Sequence, residues 1–335
     1  MNKTLQIGTS PHIRAGHSVD VIMRHVIYAL IPVCAFAVYT FGWTALLTLM
    51  VATGSCVLTE YRFGKPGATR DGSVWITGIL YCLTLPPHLP LWMTALGGVV
   101  AVGMGKALFG GLGCNPFNVA LVGRAFLQAA FPAALTTWIP VFFEGRWVRI
   151  PSSTLAWPFT QPDYAGWTSA TPLALAKFES EFAATRELAL GLTSGSTGET
   201  CGILILLGGV YLAIRKMMNW RIPAAIFAVV ILLSLLFSNL DPARYPGPMF
   251  MLFSGGLMLG AMFMATDMVA SPITHRGCLV YGALIGVLVV VIRYWGGMPE
   301  GVMYAILLAN ATSPHIDHWI QPRVYGTSGK KVAHG

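Results

Sequence analysis

From about residue 22 onward the chain alternates long apolar runs with short polar segments. A helix needs about 20 mainly apolar residues to cross the hydrocarbon core of a bilayer, and on that rule the pattern predicts about ten transmembrane helices. Five come early, at roughly 22–41, 43–61, 73–86, 90–109 and 116–132, and five late, at roughly 201–218, 222–239, 249–267, 276–294 and 299–319. Gly and Pro interrupt the third, fourth and fifth. The first run starts near Val21 and continues into a full span with no small-residue cleavage site, so it reads as its own insertion signal and not as a cleaved leader. The expected class is an all-α polytopic membrane protein.

Five spans on each side of one long hydrophilic stretch divide the chain into residues 1–132, a loop 133–200 and residues 201–335. Because five is odd, a second copy of the first set would lie inverted in the membrane. An offset of 186 residues places Gly110 and Gly111 on Gly296 and Gly297, Pro86 on Pro272, Leu121 on Leu307 and Ala125 on Ala311. The loop carries Trp138, Trp147, Trp157 and Trp167. That density suggests an ordered, interface-hugging segment, in which Leu173–Leu190 is expected to form an amphipathic helix.

Composition agrees with the pattern. Of the 335 residues, 55% are hydrophobic and 10% charged, against roughly 25% charged in an ordinary soluble domain, which excludes a soluble enzyme. The net charge of +8 raises nucleic acid as a partner, but the distribution of charge favours topology. With the N-terminus inside, the inner segments hold Lys3, Arg14, Arg24, Arg62, Lys65, Arg70, Lys106, Arg215, Lys216, Arg221, Arg276, Arg323, Lys330 and Lys331. The short outer loops hold only Arg244 and Arg293, so both termini are expected in the cytoplasm. Six cysteines stand singly, without a CxxC pair or a His at ligand spacing, and no metal site is expected.

Several local features carry candidate chemistry. Gly195-Ser-Thr-Gly-Glu-Thr200 stands immediately before the sixth span. Ser196 and Glu199 have the spacing of a capping box. Equally, a hydroxyl at a helix N-terminus beside glycines is placed to carry a phosphate ester, and the two readings are compatible. The run Gly110-Gly-Leu-Gly-Cys-Asn115-Pro-Phe-Asn118 describes irregular backbone, either a tight capped turn or a polar site whose Asn side chains suit a flavin or quinone ring. Arg124, inside the fifth span, is costly there unless paired. Asp267, closing the eighth span, is free to pair with Arg124, bind a cation or cap the turn before Pro272. The six methionines between Met249 and Met268 read as adaptable packing.

Four ordered motifs, Ser10-Pro-His-Ile-Arg14, the Gly-Gly-Leu-Gly-x-Asn-x-Phe-Asn run, Ser196-Thr-Gly-Glu-Thr200 and Ala265-Thr-Asp267, resemble the NqrB/RnfD family. These are membrane subunits of the sodium-pumping NADH:quinone reductase and of the Rnf ion-translocating oxidoreductase. The missing N-terminal extension of NqrB favours the Rnf branch. The resemblance implies a fold of two inverted five-helix repeats like that of urea transporters. It also implies covalent FMN esterified to Thr200, with Gly198 and Glu199 as motif neighbours, and a noncovalent riboflavin near Asn115 and Asn118. Glu199 stands where the family commonly has Ala, and Val119 where it often has Pro. Arg124 and Asp267 become candidates for an ion or redox path.

The implied protein is a subunit of a translocase in the bacterial inner membrane, inactive alone. Its partners would be Rnf subunits A, B, C, E and G and, for maturation, a flavin transferase acting outside the cytoplasm. It would couple ferredoxin and NAD redox chemistry to Na⁺ or H⁺ movement without binding NADH itself, since the chain has no nucleotide fingerprint in a βαβ setting. An NqrB-like subunit and a solute channel of the same fold remain as alternatives.

Overall fold

The computed structural model describes residues 18–65, 67–158, 160, 169–199 and 201–322. Among them the chain is helical without strands; a single isolated antiparallel bridge joins Trp138 and Ser169. Early in the chain come α1 (Val19–Phe41), α2 (Trp43–Phe63), α3 (Ser73–Leu83), α4 (Leu91–Val102, continued by a π-helical turn Gly103–Ala107) and α5 (Val119–Ala130). The loop region holds α6 (Pro132–Thr136), α7 (Pro172–Phe178) and α8 (Thr185–Leu190). After it come α9 (Gly202–Ile214), α10 (Arg221–Leu240), α11 (Pro248–Phe253), α12 (Leu257–Leu259, followed by a π-helical turn Gly260–Met264), α13 (His275–Trp295) and α14 (Val302–Trp319).

Four of these helices, α1, α2, α10 and α13, are long and apolar enough to cross a membrane, and α3, α4, α5 and α9 are shorter apolar helices. Large apolar side chains such as Leu58, Ile214, Leu232 and Leu240 stand exposed on the outside, a surface that hydrocarbon solvates and water does not. These are the features of a polytopic membrane protein. Packing is dense between α2, α3 and α4 and between α10 and α13. The early and late helices meet where α1 lies against α9 and α5 against α14. At the first of these contacts His25 Nδ1 lies 2.6 Å from the Tyr211 hydroxyl.

Two expected spans are shorter or more broken than their hydropathy suggests. The span expected at 73–86 ends as a helix at Leu83, and residues 84–90 continue as buried, non-helical backbone. Such backbone survives at depth only where protein groups satisfy it. Thr48 Oγ1 donates to Pro87 O at 3.2 Å, and Leu91 N donates to Thr154 O at 3.1 Å. The span expected at 249–267 breaks at Ser254–Gly256, where Gly255 adopts φ +61°. Buried Arg293 from α13 reaches into this break, donating through Nη1 to Met251 O and through Nη2 to Ser254 O at 2.5 and 2.8 Å.

The loop after α5 is ordered against the ends of the helices, although Trp167 lies outside the described residues. Trp43 Nε1 donates to Trp147 O at 2.8 Å, and the Arg146 guanidinium sits over the Phe142 ring at 5.2 Å. The single helix expected over Leu173–Leu190 is instead two, α7 and α8, separated at residues 179–184. Ser180, with φ +57°, turns the chain there. Lys177 Nζ is drawn to Gly296 O and Met298 O at 2.5 and 3.0 Å, beyond the C-terminus of α13. Partial burial holds this lysine below the usual pKa of its type.

Candidate cofactor site

The segment Gly195–Glu199 folds back onto the end of α3. Thr197 donates to Leu85 O through both N and Oγ1, at 2.9 and 2.7 Å, and Gly198 N donates to Leu83 O at 2.8 Å. The loop therefore supplies the hydrogen bonds that the broken third span lacks. A Cβ on Gly198 would stand 2.4 Å from Leu83 Cβ, so the approach requires glycine. Thr200 lies outside the described residues; its neighbours Glu199 and Cys201 are both buried.

The capping box anticipated from Ser196 and Glu199 does not form. α9 starts at Gly202 with Cys201 at its N-cap and no side-chain cap. Glu199 turns away because a stronger partner stands opposite: Arg124 Nη1 meets Glu199 Oε1 at 3.1 Å. Arg124 Nη2 meets Glu300 Oε2 at 3.0 Å, and Glu300 Oε1 accepts from Gly256 N in the break of the eighth span. One buried guanidinium thus ties together α5, the segment before Thr200 and the turn before α14. A guanidinium at this depth needs such carboxylates.

Beside this cluster opens a cavity of about 380 Å³, within the roughly 300–1,000 Å³ range of small-molecule sites. Arg124, Gln128, Trp138, Gly195, Glu300 and Tyr304 are among its lining residues. Aromatic surface, a side-chain amide and a fixed cation are groups that suit a planar, electron-accepting ring system. Glu300 is absent from the sequence-derived candidates, and Arg293 enters there only as an exception to the charge bias. The one signal is that exception, since a basic residue on the side that avoids them has a local reason to be there.

Asn115, Asn118 and Asp267 gather at a second, smaller cavity of about 140 Å³, which Ser73, Lys106 and Thr266 also line. Asn118 is the N-cap of α5: Oδ1 accepts from Leu121 N at 3.2 Å, while Nδ2 donates to Met264 O at 3.3 Å. Asn115 Nδ2 donates to Phe117 O at 3.1 Å. Asp267 Oδ1 accepts from Val269 N at 3.1 Å, so of the roles open to it the turn-capping one is seen, and Arg124 is engaged elsewhere. The volume is below the small-molecule range. Met23, Met218, Met262 and Met268 wall it with flexible side chains.

The two cavities lie along one helix. Asn118 at the start of α5 faces the smaller cavity and Arg124 the larger, six residues on, which is about 9 Å of helix rise. Sequence reasoning groups Arg124 with Asp267; the structure assigns them to different cavities. Among the described residues no group of three or more His, Cys, Asp and Glu is arranged to hold a metal ion, and none of the six cysteines is disulfide-bonded.

Comparison with known proteins bears on this arrangement. The family model described as "NQR2, RnfD, RnfE family" matches residues 6–326. The chain is 39% identical over 325 residues to the D subunit of the proton-translocating ferredoxin:NAD(+) oxidoreductase complex of Clostridium ljungdahlii, covering 96% of each. It is 40% identical to the D subunit of the ion-translocating oxidoreductase complex of Stutzerimonas stutzeri, covering 93% of this chain and 94% of the relative. To the D subunit of the Na(+)-translocating ferredoxin:NAD(+) oxidoreductase complex of Acetobacterium woodii it is 38% identical, covering 98% of each.

Proposed function

Because the chain belongs to the NQR2, RnfD, RnfE family, we propose that it is the flavin-carrying membrane subunit of an Rnf-type complex. That complex couples electron transfer between ferredoxin and NAD to ion translocation, with FMN esterified through its phosphate to Thr200. The observation that carries this reading is the docking of Gly195–Glu199 onto the broken third span, which brings the residues before Thr200 to the rim of the 380 Å³ cavity. A second observation agrees: α9 begins two residues after Thr200 without a side-chain cap. Its first-turn N–H groups and helix dipole favour an anion there.

When bound, a flavin supplies one- and two-electron redox chemistry; the protein supplies position and electrostatics. Gly198 sets how closely the attachment segment approaches α3. Arg124, fixed by two carboxylates that line the same cavity, places a pre-oriented guanidinium on its wall without side-chain reorganisation, balancing their charge and holding both in position. Gln128 and Tyr304 add hydrogen-bonding groups to the same wall. For riboflavin, Asn115 and Asn118 offer the donors and acceptors, but 140 Å³ is too small for a three-ring system as the side chains stand. No step is assigned to it.

On this reading the chain crosses the bacterial inner membrane ten times in two inverted repeats, with both termini cytoplasmic. The partners are Rnf subunits A, B, C, E and G, and a flavin transferase that acts on Thr200 outside the cytoplasm. A solute channel would need a continuous polar path between the cavities. Such a channel would carry no bound chromophore, so a flavin fluorescence measurement separates the two readings. The test is denaturing electrophoresis of the protein coexpressed with a flavin transferase, imaged for in-gel flavin fluorescence beside Thr200→Ala. Fluorescence in the parent and none in the variant is expected. A dark parent band, with a transferase active on another substrate, would overturn the covalent site.

A further inference from the structure

The end of the bundle nearest the smaller cavity holds a charged cluster that the proposed redox role does not use. Lys106 and Glu60 are 2% and 3% exposed, although charged residues at such depth cost several kcal/mol relative to apolar ones. Lys106 Nζ donates to Glu60 Oε1 at 2.5 Å and to Ser73 Oγ at 2.6 Å. Ser73 Oγ in turn donates to Asp71 Oδ1 at 2.6 Å. The four side chains form one continuous hydrogen-bonded chain.

Its placement suggests what it is for. Lys106 lines the smaller cavity together with Asn115, Asn118 and Asp267. It also lines a separate cavity of about 300 Å³, bordered by Glu60, Lys65, Asp71, Gly110 and Gly111. Asp71, half-buried, sits at the surface end, and Lys106 and Leu112 line both cavities, Lys106 being the charged group they share. The cluster contains two carboxylates and one ammonium, and the second Glu60 oxygen, Oε2, is buried without a hydrogen-bond partner. A cluster serving packing alone would need neither the surplus carboxylate nor the orphaned oxygen.

We propose that Asp71, Ser73 and Lys106, with Glu60 as counter-ion, form a proton relay between the surface cavity and the inner cavity where Asp267 lies. As the donors stand, one concerted shift moves a proton from Lys106 Nζ to Ser73 Oγ and the serine's own proton to Asp71, which releases it to the surface cavity. Lys106 then takes a replacement proton from the inner cavity, and rotation of the Ser73 hydroxyl back toward Asp71 resets the chain for the next transfer in the same direction. One proton enters the chain at one cavity and one leaves at the other; no electrons move. The relay rests on the reading of this chain as part of an ion-translocating redox complex, and it names where in that chain a proton crosses the buried shell.

The test uses the whole complex reconstituted in liposomes and driven by reduced ferredoxin and NAD⁺, with proton movement and NADH formation measured together. Asp71→Asn keeps the acceptor for Ser73 N, now at 2.8 Å, and removes the titrating group; Ser73→Ala removes the link, and Ser73→Thr restores a hydroxyl. Protons moved per NADH formed should fall about tenfold or more in Asp71→Asn and Ser73→Ala and recover in Ser73→Thr. A merely structural defect would lower both rates together and leave that ratio unchanged, and an unchanged ratio overturns the relay. So does a Thr variant as impaired as the Ala variant, or a parent complex that moves Na⁺ and no protons. A parent complex with no redox-driven ion movement at all would instead overturn the underlying assignment.

Discussion

Replacing Arg124 by Met tests whether the cluster beside Thr200 holds the two ends of the site together. Met retains much of the volume and removes the charge, so the loss falls on Glu199 and Glu300. Their side chains are 5% and 19% exposed, against 10% for Arg124. Removing one member of a buried ion pair costs about 3–5 kcal/mol, because the partner is left buried and unpaired. Glu199 bears most of that cost, since Glu300 keeps its bond from Gly256 N. At about 2–3 °C per kcal/mol for a chain of this size, detergent-solubilised Arg124→Met should lose roughly 6–15 °C in apparent Tm, read by size-exclusion chromatography of heated samples. Adding Glu199→Gln replaces the unpaired carboxylate by a neutral amide and should recover about half. A Tm for the single variant within about 1 °C of the parent would refute the idea that the cluster holds the site. A double variant no better than the single one would show that the cost comes from packing and not from the stranded charge.

Gly198→Ala should prevent the loop from docking on Leu83, destabilising by about 1–3 kcal/mol as overpacking does and sharply reducing in-gel flavin fluorescence even with Thr200 intact. Lys177→Ala should free α7 from the end of α13, and limited proteolysis should then cut within residues 179–184 faster than in the parent, at a stability cost of about 1–2 kcal/mol. Asn118→Ala removes the cap of α5 and its bond to Met264 O; about 1–2 kcal/mol is expected, measured as Tm. Asn118→Ser, which keeps a capping oxygen, should recover most of that loss.

Much of this molecule is determined by its sequence alone. Apolar runs of the length a bilayer demands locate α1, α2, α10 and α13 within a few residues, because desolvation of backbone is a local, length-dependent requirement that composition reports directly. The motif before the sixth span and the Asn-containing run are likewise legible as places where chemistry belongs, since Gly, Thr and Asn interrupt segments that otherwise have no use for them. The family follows from the same motifs in the same order. Only the tertiary structure decided what those residues touch. Glu199 has the spacing to cap its own helix, yet it pairs with Arg124, 75 positions away. Asp267 is open to Arg124 by sequence and lines another cavity with Asn115. Pro86, Pro87 and Pro90 already end the third helix in the sequence, but nothing there records that Thr197 and Gly198 arrive from the far side of a long loop to satisfy the freed carbonyls of Leu85 and Leu83. Helix length is governed by neighbours along the chain. The partner of a buried charge or of a freed carbonyl is governed by whichever group the fold brings within about 3 Å, and no spacing in the sequence records that distance.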